Sequence, residues 1–574
     1  MLISRAVGNN NFLAFQDPRM LRRLAGFIFL ALAAASVVPA AEAQQVLGAG
    51  DDALTVPAGT VRLRAMGQWD WFNEQYDSSG TLHALRDRFS LDTIGVAQIP
   101  ALTAAQTALR SLTGKSSLDV SLGRTVVSSS GRVQTTNFGA DFGMTHWLQF
   151  GLTVPIVKTR ANVILIANPN GTEGNVAPNP ALTDPGSLAQ DIMFENQIAQ
   201  AAAGVQAYCA TAGGRANPLC ANGAALASNA QTLSSGLAQV YNSSLVVPTQ
   251  HSDIQAIINN KTQSIVSQLN AYAAIQGSGV PAVTASGVAA SGVVAAAAPV
   301  LASEMQQILA DPAYGIGIDS LQTVEKTHVG DIELATKILF FDSFHGDLQA
   351  QTSPQGVNGR LALGLTYRLP TGQASSPDNL LEIPTGTHEA ALGINGYFDL
   401  LMGSHFWTSF IARYTKEQGT NIDVRVPITS SQPFTPLYTA TTVNRTLGNL
   451  TEIEVTPRWV LNDFMSLTMQ YIYQRKAQDQ YIGMSHTAGP DSLTGGVAVL
   501  VDPTTLGAGT AFTEHSIAGG VSFSNLSAFA RHQTSLPIEV SYLHTQTIKA
   551  SGDNIPQTFR DQIQMRVYVR LFGR

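Results

Sequence analysis

The sequence predicts an all-β membrane barrel: an antiparallel, up-and-down transmembrane β-barrel of about twelve strands with a long α-helical insert. Three observations predict it. Apolar and polar residues alternate over stretches of about ten, the pattern of a strand with one face in lipid and one in water. Short and long connections alternate along the chain, which a soluble sandwich has no reason to do. The N-terminus carries an export signal.

That signal comes first in the chain. A basic start at Leu21-Arg22-Arg23 leads into the apolar run Leu24 to Val38, and Ala41-Glu42-Ala43 is a small-residue cleavage site. Cleavage is expected after Ala43, and Met20 is a candidate true start. Residues 44–59 then read as a periplasmic N-terminal segment.

The first strand candidate is Thr60 to Tyr76, with Val61, Leu63, Ala65, Trp69 and Trp71 opposite Arg62, Arg64, Gln68 and Asp70. A long excursion follows, with a small hairpin expected at Ser128-Ser129-Ser130-Gly131. Phe138, Ala140, Phe142 and Met144 alternate with Asn137, Gly139, Asp141 and Gly143. A tight turn at Thr145-His146-Trp147 reverses into Leu148 to Val154. Together these make the region 60–168, the first barrel strands with a long loop.

Between 169 and 327 the period changes to helical. Ile254, Ile258, Ile265, Leu269 and Tyr272 fall near one face in a segment rich in Ala, Gln, Asn and Ser. Such an insert caps the outside, plugs the lumen or stands as a surface domain. Its two cysteines, Cys209 and Cys220, have no nearby ligand partners for a zinc site and are expected to form a local disulfide in an oxidising compartment.

The barrel pattern resumes over 328–574. Ile332, Leu334 and Ile338 alternate with Asp331, Glu333 and Lys337; Leu363, Leu365, Tyr367 and Leu369 with Ala362, Gly364, Thr366 and Arg368. Leu392 to Leu401 and Trp407 to Tyr414 are joined by a turn at Met402-Gly403-Ser404. Ile453, Val455, Trp459 and Leu461 lie opposite Glu452, Glu454 and Arg458. After the turn Asn462-Asp463 comes Met465-Ser466-Leu467-Thr468-Met469-Gln470-Tyr471, the clearest alternation of all. Ser516 to Phe523, Ile538 to Tyr542 and Ile563 to Leu571 complete the count, the last putting Arg566 and Arg570 on its wet face. An even count places both termini in the periplasm. Trp147, Phe406, Trp407, Trp459 and Phe464 lie beside the short turns, where an interfacial aromatic girdle belongs.

Composition agrees. Charged residues are only 13 % of the chain, against about 25 % in soluble domains. The formal charge of −7 is the wrong sign for nucleic-acid binding.

At Gly330-Asp331-Ile332-Glu333-Leu334, with Lys337, and again at Arg368-Leu369-Pro370-Thr371-Gly372, the chain resembles the outer-membrane barrels encoded with phenol meta-cleavage pathways. The resemblance spans 148–165 and 328–574 and leaves out the helical insert. It implies a porin-like or transporter-like role for hydrophobic or aromatic compounds.

Chemistry is not signalled. The chain has no H-E-x-x-H, P-loop or G-x-S-x-G, and no cofactor is expected. His515-Ser516 and Ser485-His486 are the nearest approaches to a hydrolase pair. Asp331 with Glu333, and Glu452 with Glu454, put two carboxylates on one strand face, a spacing open to acid–base work or cation binding. More simply, they face Arg62, Arg64, Arg368, Arg458, Arg566 and Arg570 across a lumen. The expected partners are outer-membrane lipid, the barrel assembly machinery and a small solute. The rival expectations are a barrel-anchored receptor or adhesin displaying 169–327, an outer-membrane hydrolase, and a soluble periplasmic β-protein.

Overall fold

The computed structural model describes residues 50–572 apart from 86, 172–173, 285–291, 346–353, 430–431 and 553. The expected signal, residues 1–43 with its cleavage site, lies outside the described residues. Twelve strands close a single ring: β1 (Thr60–Phe72), β2 (Thr125–Gly143), β3 (Leu148–Ala167), β4 (Glu333–Asp342), β5 (Val357–Arg368), β6 (Ala391–Met402), β7 (Phe406–Glu417), β8 (Leu450–Val460), β9 (Met465–Lys476), β10 (Phe512–Ser524), β11 (Ile538–Gly552) and β12 (Phe559–Arg570). Each pairs antiparallel with its neighbours in sequence, and β1 seals against β12 from Thr60↔Arg570 to Trp71↔Phe559. Closure leaves no strand edge, the condition for crossing lipid with sheet.

Period-two sidedness fixes the two surfaces. Phe150, Leu152, Leu363, Leu365, Ile394, Ile453, Leu467 and Met469 are exposed on the outer face. Their neighbours in sequence, such as Gln149, Asn395, Glu454, Ser466 and Thr468, are buried inward. One end of the ring has compact turns at 144–147, 403–405 and 461–464, with Gly403 at φ +61° and the Asn462 carboxamide accepting from the amides of Phe464 and Met465. β4 also ends and β5 begins at this end, as do β10 and β11, and here β1 starts and β12 finishes. All the long excursions leave from the other end.

β2 and β3 are 19 and 20 residues long, against 12 for β5, β6, β7, β9 and β12. The surplus raises a hairpin about 20 Å above the rim. The hairpin expected at Ser128–Gly131 does not form; β2 runs straight through it. Ser129 Oγ donates to the Leu85 carbonyl at 2.8 Å. A Cβ at Gly131 would meet the Phe72 ring at 2.2 Å, so glycine here serves close approach rather than a turn. At Pro155, which has no N–H to donate, β3 changes partner. Leu148–Thr153 pairs with β4, and Ile156–Ala161 pairs with the short strand Val324–Val329.

The longer helices are α1 (Thr103–Thr113), α2 (Pro185–Ala210), α3 (Gly223–Leu237), α4 (Asp253–Ala273) and α5 (Ala302–Ala310). Asp184 caps α2 by accepting from the amides of Gly186 and Ser187, and Ser252 caps α4. They share one hydrophobic core that includes Leu109, Phe194, Ile198, Leu233, Ile308 and the α4 stripe Ile254, Ile258, Ile265, Leu269 and Tyr272. Inward-facing Val127, Ala161 and Val163 of the tall hairpin belong to the same core, as do Leu381 and Phe434 from two other long loops. Phe434 stacks on Phe89 at 5.9 Å. The helices thus form a cap leaning on the hairpin at the long-loop end. Phe89, Ile94, Ile99, Leu102, Leu109, Leu112 and Leu122 are part of it, so the cap is larger than the 169–327 insert. Cys209 and Cys220 are disulfide-bonded and tie the end of α2 to the foot of α3.

Two predictions follow from the cap. The disulfide closes a loop with a sequence separation of 11, for which chain entropy gives about 3 kcal/mol. Cys209→Ser with Cys220→Ser should speed proteolysis of the cap while the heat-dependent gel shift of the barrel persists. Asp191 and Glu195 sit on successive turns of α2, and burial raises their carboxyls to about 6 and about 7. Each holds a proton in the folded cap that it loses when unfolded. Their stabilisation is therefore complete below about pH 4 and is lost as pH rises through 6 to 7. Proteolysis of the cap should be slower at pH 5 than at pH 8, and Glu195→Gln should flatten that difference.

Candidate functional site

The wall supplies inward side chains at every second residue, and the N-terminal segment supplies what fills the space between them. Of residues 44–59, expected as a periplasmic segment, 50–56 lie in the lumen and 57–59 cross its rim. Gly59, at φ +72°, turns the chain from the segment into β1 and donates its amide to Gly143 at 2.8 Å. At Gly143 a Cβ would stand 2.3 Å from the carbonyls of Val56 and Pro57, so the segment passes over the rim where the wall has no side chain.

Inside, six strands hold it. Lys337 on β4 donates to Asp51 Oδ1 at 2.9 Å and to the Asp52 carbonyl at 2.7 Å. Arg413 on β7 lies 3.8 Å from Asp51 Oδ2. Arg458 on β8 donates to the Asp51 carbonyl at 3.0 Å, and Arg566 on β12 to the Gly50 carbonyl at 2.9 Å. In return the Ala53 amide donates to Asp399 on β6 at 3.1 Å, and the Val56 amide to Gln149 on β3 at 2.9 Å. Ala53 packs with Ala362, Tyr397 and Ile411, and Leu54 with Phe344, Leu401 and Trp407. Trp407, expected in the girdle, is 2 % exposed and lies inside, with the Arg458 guanidinium 4.8 Å from its ring centre. Trp147 and Trp459 do face outward.

The cations that grip the segment are themselves neutralised by the wall. Arg413 pairs with Glu454 at 2.9 Å and with Glu452. Arg458 donates to Ser409, which donates to Asp399 at 2.7 Å. Nearer β1, Arg62 and Arg64 share Asp141 at 2.9 and 2.8 Å. Asp70 accepts from Arg560 at 2.7 Å. Charge-assisted bonds of this kind are the strong ones, because both partners are partly desolvated.

Towards the long-loop end, Asp331 is not part of a strand. Its carboxylate accepts from the amides of Gly372 and Thr387, each at 2.7 Å, and so organises the 369–390 loop. Arg368 pairs with Glu417. A cavity of about 320 Å³ lies here, lined by Arg64, Asn137, Thr153, Asp331, Glu333 and Gln564 among others. The Glu333 carboxylate makes no hydrogen bond or ion pair among the described residues. Arg570 is exposed at the short-turn rim, opposite Thr60.

The residues that sequence reasoning missed are Asp51 and Asp52 on the segment, and Arg413, Asp399 and Tyr397 on the wall. The Ser–His pairs come apart: Ser516 points inward to Glu514 at 3.0 Å, and His515 points outward to Tyr471 at 2.7 Å. Ser485 bonds Asp502 at 3.3 Å. No group of three metal-ligating side chains occurs among the described residues.

Fold and site together define a transmembrane β-barrel whose lumen holds its own N-terminal segment. No protein-family model matches the chain, and no curated protein matches it. Among solved structures it is similar to an outer membrane channel from Pseudomonas putida F1, at 8 % identity over 92 % of this chain and 100 % of that one, TM-score 0.39. It is also similar to the P. putida toluene transporter TodX (9 %, 93 % and 100 %, TM-score 0.22) and to the translocator domain of the autotransporter NalP from Neisseria meningitidis (7 %, 96 % and 96 %, TM-score 0.25). These superpositions are loose, and the barrel is established by its own strand ladder.

If Lys337 seats the segment, its loss should expose what lies beneath. Ala53 is fully buried. A thiol placed there by Ala53→Cys should resist a water-soluble maleimide, and adding Lys337→Ala should raise the labelling rate about tenfold, the equivalent of about 1.4 kcal/mol.

Proposed function

We propose that the protein is an outer-membrane channel for small solutes, exported with cleavage after Ala43, and that residues 50–59 are its removable plug. The observation that carries this reading is the manner of seating. The segment is held across the lumen by ion pairs and hydrogen bonds to six strands, contacts that water and ions can replace. A structural filler would be expected to close the lumen with apolar packing throughout. The short turns and both strand termini then face the periplasm, and the cap faces outward.

The cavity of about 320 Å³ is large enough for a small solute, and its lining mixes Met66 and Pro155 with Arg64, Asn137 and Gln564. Sequence resemblance makes small hydrophobic and aromatic compounds the first class to assay. A second reading, a barrel that displays the cap to a partner, is favoured by the size of the cap's shared core, which draws on several loops.

Planar-bilayer conductance separates the two. Deleting residues 50–57 should raise single-channel conductance severalfold over wild type. Asp51→Ala should increase the open fraction roughly tenfold, since charged hydrogen bonds contribute about 1.5–3 kcal/mol and lumenal water reaches the Asp51 side chain, which is 39 % exposed. A deleted barrel that still shows the heat-dependent gel shift but conducts no better than wild type would overturn the channel reading.

A further inference from the structure

The outer wall also carries a feature that conduction does not use. Near the long-loop end one rung crosses five adjacent strands on the outward face: Tyr414 of β7, Thr451 of β8, Arg475 of β9, Thr513 of β10 and Ser551 of β11. These five line a groove of about 750 Å³, roofed by Ser78, Gln478 and Gly509 from the overhanging loops. Arg475 is exposed and its guanidinium makes no hydrogen bond or ion pair among the described residues. The hydroxyls of Thr513 and Ser551 face each other at 2.7 Å.

The surroundings are cationic. Lys549 lies on the next rung down, opposite His515, and Lys416 lies two residues beyond Tyr414; both are exposed and neither has an acid partner among the described residues. Asp77 belongs to the overhanging loops, but its carboxylate is turned to Ser79, Thr81 and His83 of its own turn. Asp479 is taken by Lys476. On a chain of net charge −7, a set of cations with no carboxylate aimed at it among the described residues is a local inversion of sign.

Height decides what fits. Below this rung the same outward columns become Tyr471, Tyr473, Ile453 and Ile517, the upper part of the apolar belt. Tyrosines mark the lipid–water boundary in such barrels. The outward rung therefore stands at headgroup level, with a guanidinium suited to bidentate phosphate binding and hydroxyls suited to sugar.

We infer that this groove binds the phosphorylated sugar headgroup of an outer-leaflet glycolipid, with Arg475 and Lys549 on the phosphate and Thr451, Thr513 and Ser551 on the sugar. The inference rests on the outer-membrane reading, and the two fail separately. A protein without a heat-dependent gel shift in the outer-membrane fraction would sink that reading. A protein that shows the shift but does not respond to the lipid would sink only this one.

The test uses purified full-length protein and the temperature at which the compact gel band converts to the unfolded one. A bisphosphorylated diglucosamine lipid should raise that temperature by a few degrees in wild type, and its dephosphorylated counterpart should not. Arg475→Ala with Lys549→Ala should abolish the rise, and Arg475→Lys should retain part of it. Equal shifts from both lipids, or an equal shift from inorganic phosphate alone, would overturn the assignment in wild type without any variant. A double variant that keeps the full rise would overturn it as well.

Discussion

Everything in this molecule follows from one demand: a backbone crossing lipid must satisfy its hydrogen bonds within itself. Sheet meets that demand only as a closed ring, and β1 against β12 is the seam that closes it. Once the ring is closed, period-two geometry forces half of every strand's side chains inward. The outer half must be apolar, so nearly all of the chain's polar strand residues are confined to a narrow interior. Charges there cannot be left single, because an unpaired charge in a partly dry lumen is far more costly than a pair. The lattice of Arg62 and Arg64 with Asp141, and of Arg413 with Glu452 and Glu454, is the consequence.

The plug completes that lattice rather than merely occupying it. Lys337 has Asp51 as its ion-pair partner and stands 4.1 Å from the Tyr397 ring. Arg458 and Arg566 spend donors on segment carbonyls. The wall thus offers donors from β4, β7, β8 and β12, and Gly50, Asp51 and Asp52 supply the matching acceptors. The cap solves a separate problem at the far end. Its helices bury their apolar faces on the inward side of the β2–β3 extension, where Val127, Ala161 and Val163 have risen clear of the polar interior.

The barrel was legible in the sequence because alternation is a local signal that each strand carries by itself. The strand count, the short turns near 146, 403 and 462, and the helical face of α4 were all visible for that reason. The plug was not, since residues 50–59 have no period and their partners lie up to 516 positions away. Its trace was nevertheless present. Tyr397, Leu401, Trp407 and Ile411 place large apolar groups on the wet face of β6 and β7, where a water-filled pore would not put them. They blurred the alternation there, hid Arg413 and made Trp407 look like a girdle residue. They are apolar because Ala53 and Leu54 rest on them. Ser128–Gly131 misled in the opposite way: its small residues suit a turn, but here they admit Phe72 and the Leu85 carbonyl.

Apolar contact alone does not hold the segment in place. Ordering each residue costs about 1–2 kcal/mol in backbone entropy, and burying a side chain such as Leu or Val returns only about 1.5–3 kcal/mol. Ala53, Leu54 and Val56 are the apolar residues of 50–56, so their burial falls short of ordering the whole stretch. The remainder comes from the bonds to Lys337, Arg413, Arg458, Arg566, Asp399 and Gln149. Charged bonds in a wet lumen weaken with salt and with any solute able to compete for the same donors. A segment seated this way is sensitive to salt and to competing solutes, which is the property the proposed plug requires and a structural filler does not.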